Sequence, residues 1–186
     1  MGYYSQKELE KMGFKYLGKD VQISNKSSIY NCEKISIGDY SRIDDFCVIS
    51  GNITIGRNVY IAPFCLLAGG EAGIEIDDFA GMSYRVQIFS QSDDYSGESL
   101  TNPTIPLLYK KEIKKMVKIG KHVAIGAGVT IMFGVNIEEG TAIGAMSLIR
   151  KSTESWSTYL GNPAKKIKKR KKHLLKLEKL YLENIK

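Results

Sequence analysis

Between Val117 and Ile149, isoleucine returns at every sixth residue: Ile119, Ile125, Ile131, Ile137, Ile143 and Ile149. Glycine follows directly at Gly120, Gly126 and Gly144, and compact residues stand four places after an isoleucine at Val123, Val129, Val135, Thr141 and Ser147. A period of six suits neither regular element. On an α-helix it scatters the isoleucines round the cylinder, and a plain strand alternates at two and has no need of the glycine. A fixed hexapeptide repeat is instead the mark of a β-helix. Each hexapeptide supplies one short strand and one corner. Three of them make a coil, and successive coils stack at the strand spacing of ~4.8 Å. The isoleucines then form an inward ladder, the compact residue fits the narrow interior, and glycine takes a corner that a Cβ would obstruct.

Earlier in the chain the same period is present but broken. Ser5-Gln6-Lys7-Glu8 reads as a capping box, which predicts a short helix from Ser5 to Met12 stopped by Gly13. The repeat opens at Leu17, continues weakly through Ile23, Ile29 and Ile35, and slips by two to Ile37. Ile37, Ile43, Ile49, Ile55, Ile61 and Leu67 then run in sixes, and three extra residues near Gly69 to Gly73 reset the frame to Ile76, Met82 and Ile88 as a small corner bulge. Residues 90–116 have no sixfold pattern and carry Asp93, Asp94, Tyr95, Gly97 and a basic run of Lys110, Lys111, Lys114 and Lys115. A long interruption in an otherwise regular coil points to function. The repeat ends near Ser155. Asn162-Pro163 then reads as the cap and first position of a helix, with Ile167, Leu174, Leu177 and Tyr181 near one face and lysine on the other. The expected organisation is a helical segment at 1–16, a β-helix at 17–160 with a protruding loop at 90–116, and a basic C-terminal helix at 161–186.

Charge is divided unevenly. Residues 1–164 hold 17 Lys and Arg against 18 Asp and Glu, and residues 165–186 hold ten against two. The excess is confined to the tail, which suits a clamp for the phosphates of a cofactor, or a plain solvated surface, better than a nucleic-acid surface. No run of apolar residues is long enough for membrane insertion and the N-terminus has no signal pattern, so the chain reads as soluble and cytoplasmic. Cys47 and Cys65 both stand four places after an isoleucine and read as small fillers of the interior. With two histidines in all, one of them in the tail, the sequence argues strongly against a three-histidine metal site of the carbonic anhydrase kind, and no metal is expected.

The repeat, the single protruding loop and the closing Gly161-Asn162-Pro163-Ala164-Lys165-Lys166-Ile167 resemble the hexapeptide-repeat acyltransferases, nearest to the acetyltransferases of sugars, antibiotics and surface polysaccharides. The resemblance implies an all-β fold, a left-handed parallel β-helix. It also implies a homotrimer with each active site between two subunits beneath the loop, acetyl-CoA as donor and a sugar hydroxyl or amine as acceptor, a nucleotide sugar or a surface-polysaccharide unit. A non-catalytic β-helix used for assembly or binding is the alternative.

In the resembling enzymes a histidine at the start of the loop is the general base. This loop has none, and register places Asp93 where that histidine stands, with Asp94 beside it. Three readings stay open. Asp93 or Asp94 replaces the base, two adjacent carboxylates raising one another's pKa. Or the acceptor is an amine that needs only to be oriented. Or Asp93-Asp94-Tyr95-Ser96-Gly97 is a turn. The resemblance lays the pantetheine arm of the donor along Ala127 and Ala145. Arg150, Lys151, Lys165 and Lys168 are positioned to meet its phosphates, with Lys165 and Lys166 in the first turn of the expected tail helix. Tyr84, Tyr95 and Trp156 are candidates to stack on a sugar or adenine. His122 falls at a corner of the repeat, where the family commonly has a polar surface residue.

Overall fold

The computed structural model describes residues 2–184. The expected helix at the N-terminus is α1 (Gln6–Lys11), with the capping box of Ser5 and Glu8 in place. Met1 in the first expected segment and residues 185 and 186 in the last lie outside the described residues. Beyond α1 the chain winds into a parallel, left-handed β-helix of three faces. Face 1 stacks Leu17, Ile37, Ile55, Ile76, Ile119 and Ile137. Face 2 stacks Ile23, Ile43, Ile61, Met82, Ile125 and Ile143. Face 3 stacks Ile29, Ile49, Leu67, Ile88, Ile131 and Ile149.

These side chains form one continuous buried column, filled by the compact residues Cys47, Val59, Cys65, Val86, Val123, Val129 and Val135. Both cysteines are free, and each donates its Sγ–H to a carbonyl, Cys47 to Ala62 and Cys65 to Ser83. Where the filler is polar it is satisfied locally: Thr141 Oγ1 donates to the Glu138 carbonyl and Ser147 Oγ to the Gly144 carbonyl. Burying a hydroxyl inside an aliphatic column is affordable only with such a partner.

The corners bear out the expectation that a Cβ would be obstructed after the isoleucine, and the obstacle is the next coil. The glycine after each isoleucine has no need of a left-handed backbone. A Cβ at Gly56 would lie 2.7 Å from the Asp78 backbone nitrogen of the next coil, so close stacking excludes it. The left-handed residue stands three places after the isoleucine, and most are not glycine: Tyr40, Phe46, Asn58, Phe64, Phe79, Arg85, His122 and Met146 all have φ between 53° and 60° or, for Phe64, 65°.

Three edges follow. Between faces 1 and 2 runs a helix edge, where α2 (Leu174–Asn184) docks: Asn58 Nδ2 donates to Tyr181 Oη, and Glu178 accepts from His122 Nε2 at 2.9 Å. Between faces 2 and 3 runs an open edge with Phe46, Phe64, Tyr84 and Met146 each at least half exposed. Between faces 3 and 1 runs a loop edge, and every slip of the repeat falls there. The first is a 3₁₀ turn at Cys32–Lys34, the second the bulge between the long strands Val48–Ile55 and Leu66–Ile76, the third the protruding loop itself.

At the C-terminus the expected helix at Asn162-Pro163 is replaced by a β-hairpin. Ser157–Gly161 continues face 2, pairing with Ala142 and Ile143, and Ala164–Lys169 folds back antiparallel on it across the cis Asn162–Pro163 bond. The last coil of a β-helix presents an unpaired strand edge, and a lysine-rich return strand covers it better than a helix that has no apolar side to bury until Leu174. Ile167 therefore lies exposed on the hairpin, apart from the stripe of Leu174, Leu177 and Tyr181 that faces the helix edge.

Candidate active site

The protruding loop is anchored by a two-stranded antiparallel ribbon, Gln91–Asp93 against Glu112–Lys114. Its charged residues explain the ribbon. Lys110 is almost fully buried, its Nζ 2.6 Å from Glu112 and 3.8 Å from Asp93, and it also donates to the Asn102 carbonyl. Hydrogen bonds from Lys110 and Lys114 hold the Glu112 carboxyl below its ordinary range. Lys114 bridges on to Glu71 in the bulge of the coil below. The ribbon roofs a cavity of about 430 Å³ whose floor is Ala68, Phe89 and Met132 and whose wall includes Asp93, Tyr95, Lys110 and Glu112.

The two adjacent carboxylates are separated in role by this geometry. Asp94 turns away into its own loop, accepting from the Ser96 backbone and from the hydroxyls of Ser96 and Ser99. The Ser96 backbone hydrogen bond is the main reason its carboxyl lies below its usual value. The turn reading of the sequence thus describes Asp94. Asp93 is half-buried on the cavity wall, where the Asn102 N–H donates to its Oδ2 and Lys110 stands near Oδ1. Tyr95 is 88% exposed at the rim.

Register fixes the heights of the other candidates along the column. Ala68, Phe89, Met132 and Arg150 each follow the ladder residue of face 3, so they run in one line up the loop edge. That line leads from the loop cavity to a second cavity of about 560 Å³, lined by Arg150, Lys151, Tyr159, Pro163, Lys165 and Lys166. Three of the four predicted phosphate-binding residues meet here. They meet on a hairpin and a corner, not in the first turn of a helix, so the attraction is that of side-chain ammonium and guanidinium groups. Lys166 is paired with Glu154. Lys168 is the fourth and lies apart from this cavity, opposite Thr158 beyond the bulge of the hairpin.

Tyr84, Ala127 and Ala145 lie elsewhere. Each stands two places after a face 2 ladder residue, Met82, Ile125 and Ile143, so they line the open edge. Their stacking is direct, the Gly128 N–H donating to the Tyr84 carbonyl and the Met146 N–H to that of Ala127. The predicted site is therefore divided in two: Asp93, Tyr95, Arg150, Lys151 and Lys165 on one edge, Tyr84, Ala127 and Ala145 on the next, with face 3 between. The heights nevertheless match. Tyr84 belongs to the coil of Met82 and Ile88 that launches the loop, and Ala145 to the coil of Ile143 and Ile149 that carries Arg150.

One stacking candidate, Trp156, and one corner residue expected at the surface, His122, are both buried. Trp156 is buried, sitting over Gly140, where a Cβ would meet its ring at 2.4 Å, and under Lys172. It is unavailable for stacking on a ligand. His122 is no surface residue either: it is 7% exposed, stacked on Phe79 at 5.3 Å and hydrogen-bonded to Glu178. Burial pushes the Glu178 carboxyl up, and hydrogen bonds from Lys121 and His122 more than offset it, leaving it below the ordinary value. Sequence periodicity gives no warning of this contact, because Glu178 is remote in the chain and stands on a helix expected to begin elsewhere.

Comparison with known proteins agrees with this architecture. Residues 34–69 match the family described as bacterial transferase hexapeptide (six repeats). The chain is 42% identical to a dTDP-4-amino-4,6-dideoxy-D-glucose acyltransferase of Escherichia coli, over 97% of this chain and 95% of that one. It superposes with a TM-score of 0.96 and 48% identity on AntD, an N-acyltransferase from Bacillus cereus solved with dTDP and 3-hydroxybutyryl-CoA, covering 100% of this chain and 99% of that one. A variant of AntD solved with dTDP-4-amino-4,6-dideoxyglucose and coenzyme A superposes equally well, at TM-score 0.96 and 48% identity over 98% of each chain. The chain belongs to the hexapeptide-repeat acyltransferases of the left-handed β-helix type. It is an enzyme, and its chemistry is acyl transfer.

Proposed function

We propose that this enzyme moves an acyl group from acyl-CoA to the amino group of a sugar carried on a nucleoside diphosphate, as a homotrimer whose sites lie between copies. The observation that carries the reading is the division of the site between two edges at matching heights. A threefold axis parallel to the column preserves height, so the open edge of one copy faces the loop edge of the next at the same coil. Tyr84 of one copy then stands opposite Asp93 of another, and Ala145 opposite Arg150. The loop supports the same arrangement: Leu107, Leu108 and Tyr109 near its tip are 69%, 85% and 59% exposed, an apolar surface suited to a second copy.

In this arrangement the acyl donor extends from the loop cavity towards the C-terminal end. Its pantetheine arm passes Ala127 and Met132, and its phosphates reach Arg150, Lys151 and Lys165. An amine explains the absence of a histidine in the protruding loop. Its lone pair attacks the thioester carbonyl once the nitrogen is free of its extra proton, a C–N bond forms, the C–S bond breaks, and the proton given up by nitrogen is balanced by the one taken up by the departing thiolate. The Asp93 carboxylate orients the amine and accepts that proton in passing. The relatives' printed substrates, a dTDP-linked 4-amino sugar and acyl-CoA, support the amine over a hydroxyl.

The test is to supply dTDP-4-amino-4,6-dideoxyglucose or its 4-hydroxyl counterpart with either acetyl-CoA or 3-hydroxybutyryl-CoA, following free thiol and product mass. Thiol release with the amine alone, and a product heavier by one acyl group, is the expected result, and comparing the two donors reads the acyl length. Equal rates with the hydroxyl sugar would refute the amine reading.

A further inference from the structure

One lysine of the protruding loop does not face solvent. The Lys110 side chain is 6% exposed, against 68% for its neighbour Lys111. An ammonium leaves water at a cost that only the anions and acceptors around it can offset. Lys110 has three N–H donors. One meets Glu112 at 2.6 Å and a second meets the Asn102 carbonyl at 3.2 Å. Asn102 carries the link to Asp93, since its N–H donates to Asp93 Oδ2 at 3.0 Å. The Lys110 Nζ stands 3.8 Å from the other oxygen, Oδ1, beyond hydrogen-bonding distance. One carboxylate oxygen is thus tied to the loop, while the second lies near a cation that does not occupy it. Oδ1 keeps its lone pairs for a donor arriving from the cavity, which Asp93 and Lys110 both line. Register adds a second reason for the cation. Asp93 and Glu112 are directly opposite across the ribbon, and like charges so placed repel. Lys110 contacts both, and Lys114 holds the other oxygen of Glu112 and ties it to Glu71 of the coil below.

We propose that Lys110 is a positioning residue of the transfer reaction: through its hold on Glu112 and the Asn102 carbonyl it fixes Asp93 with Oδ1 free for the acceptor amine. The proposal rests on the role given to Asp93 above and deepens it. Lys110 acts on the substrate through Asp93, without touching it. Its distance from Oδ1 matters as much as its charge. An ammonium bonded to that oxygen would compete with the amine, and Glu112 draws Lys110 back far enough to prevent this. Without the ammonium, Asp93 and Glu112 repel across the ribbon and the Asn102 segment loses an anchor. The carboxylate then leaves the geometry in which it meets the nitrogen.

Steady-state kinetics of Lys110→Met, Asp93→Asn and the double variant, with dTDP-4-amino-4,6-dideoxyglucose and acyl-CoA, form a double-mutant cycle that tests this. Lys110→Met alone should lower kcat by roughly tenfold or more, with the KM for acyl-CoA and the mass by light scattering unchanged. Added to Asp93→Asn, it should lower kcat further by less than about twofold, because nothing is left to position. The paired variant Lys110→Met/Glu112→Gln removes a cation and an anion together, and it serves where the single variant does not fold. The same two results are expected of it. An equal loss in both backgrounds overturns the proposal, since Lys110 would then support the loop without acting through Asp93. A wild-type kcat in Lys110→Met beside a slow Asp93→Asn overturns it too, and leaves the role of Asp93 standing. A wild-type kcat in Asp93→Asn overturns that role and the proposal with it.

Discussion

A site built from two copies makes a quantitative demand on mixed trimers. Consider one variant damaged on the loop edge, Asp93→Asn, and another blocked on the open edge, Ala127→Trp, which places an indole in the path assigned to the pantetheine arm. Each alone spoils all three sites of its own trimer. In a trimer containing both, a site works when its loop edge comes from the Trp-bearing copy and its open edge from the Asn-bearing copy. Random mixing in equal amounts restores about one site in four, and trimers selected by two different affinity tags hold about one working site in three. The background is set by residual turnover of Asp93→Asn, ~10⁻² of wild type or less. Thiol release after co-expression gives the result directly, with light scattering to establish that the trimers are intact. Recovery near these fractions supports the shared site. No recovery in intact mixed trimers would mean that every copy needs both residues itself, and the matching of heights across edges would then be coincidental.

Other expectations concern single chains. Asp93→Ala should slow turnover by roughly 10²- to 10⁴-fold with the trimer retained, while Asp94→Ala should mainly loosen the loop, seen as faster proteolysis between residues 94 and 110. Equal kinetic losses in the two would contradict the separate roles. Ile61→Ala, at a fully buried rung, should lower stability by about 2–5 kcal/mol in denaturant unfolding, and a loss below about 1 kcal/mol would show that the column closes over the gap. Glu178 has a lowered carboxyl pKa through Lys121 and His122, so its contribution to docking α2 is present above the ordinary carboxylate value and is lost as pH falls through the lower folded value. Protection of the α2 amides, referred to their intrinsic exchange rate, should therefore fall on acidification below about pH 4.5, and Glu178→Gln should show the weaker protection already at neutral pH. Protection indifferent to both changes would mean that α2 is held by its leucines alone.

The ladder was legible because burial inside a narrow column leaves few choices: each sixth position must be aliphatic and each filler small. The bulge near Gly69 to Gly73 was legible for the same reason, since a frame shift in a strict period is visible without coordinates. Corner conformation was not. Gly56 announces a close approach between coils, which resembles a demand for positive φ, while the residue that meets that demand is Asn58. The tail misled because Asn162-Pro163 suits a helix start and a hairpin equally well locally, and the deciding factor is the exposed strand edge of the last coil. For the site, Asp93 could be placed by register, but its separation from Asp94 depends on Ser96, Ser99 and Asn102 closing the loop. Period and spacing alone do not say that Ala127 and Arg150 belong to different edges. That distinction appears once residues are assigned to faces.

The pitch of the β-helix also acts as a ruler. Reach along the groove is added only in whole rungs, so the span from the Met82–Ile88 coil to the basic hairpin is quantised at ~4.8 Å. A loop can stretch by one residue, but this wall cannot. Lengthening or shortening it means inserting or deleting a full turn of three hexapeptides, and the terminal hairpin marks where the measure stops.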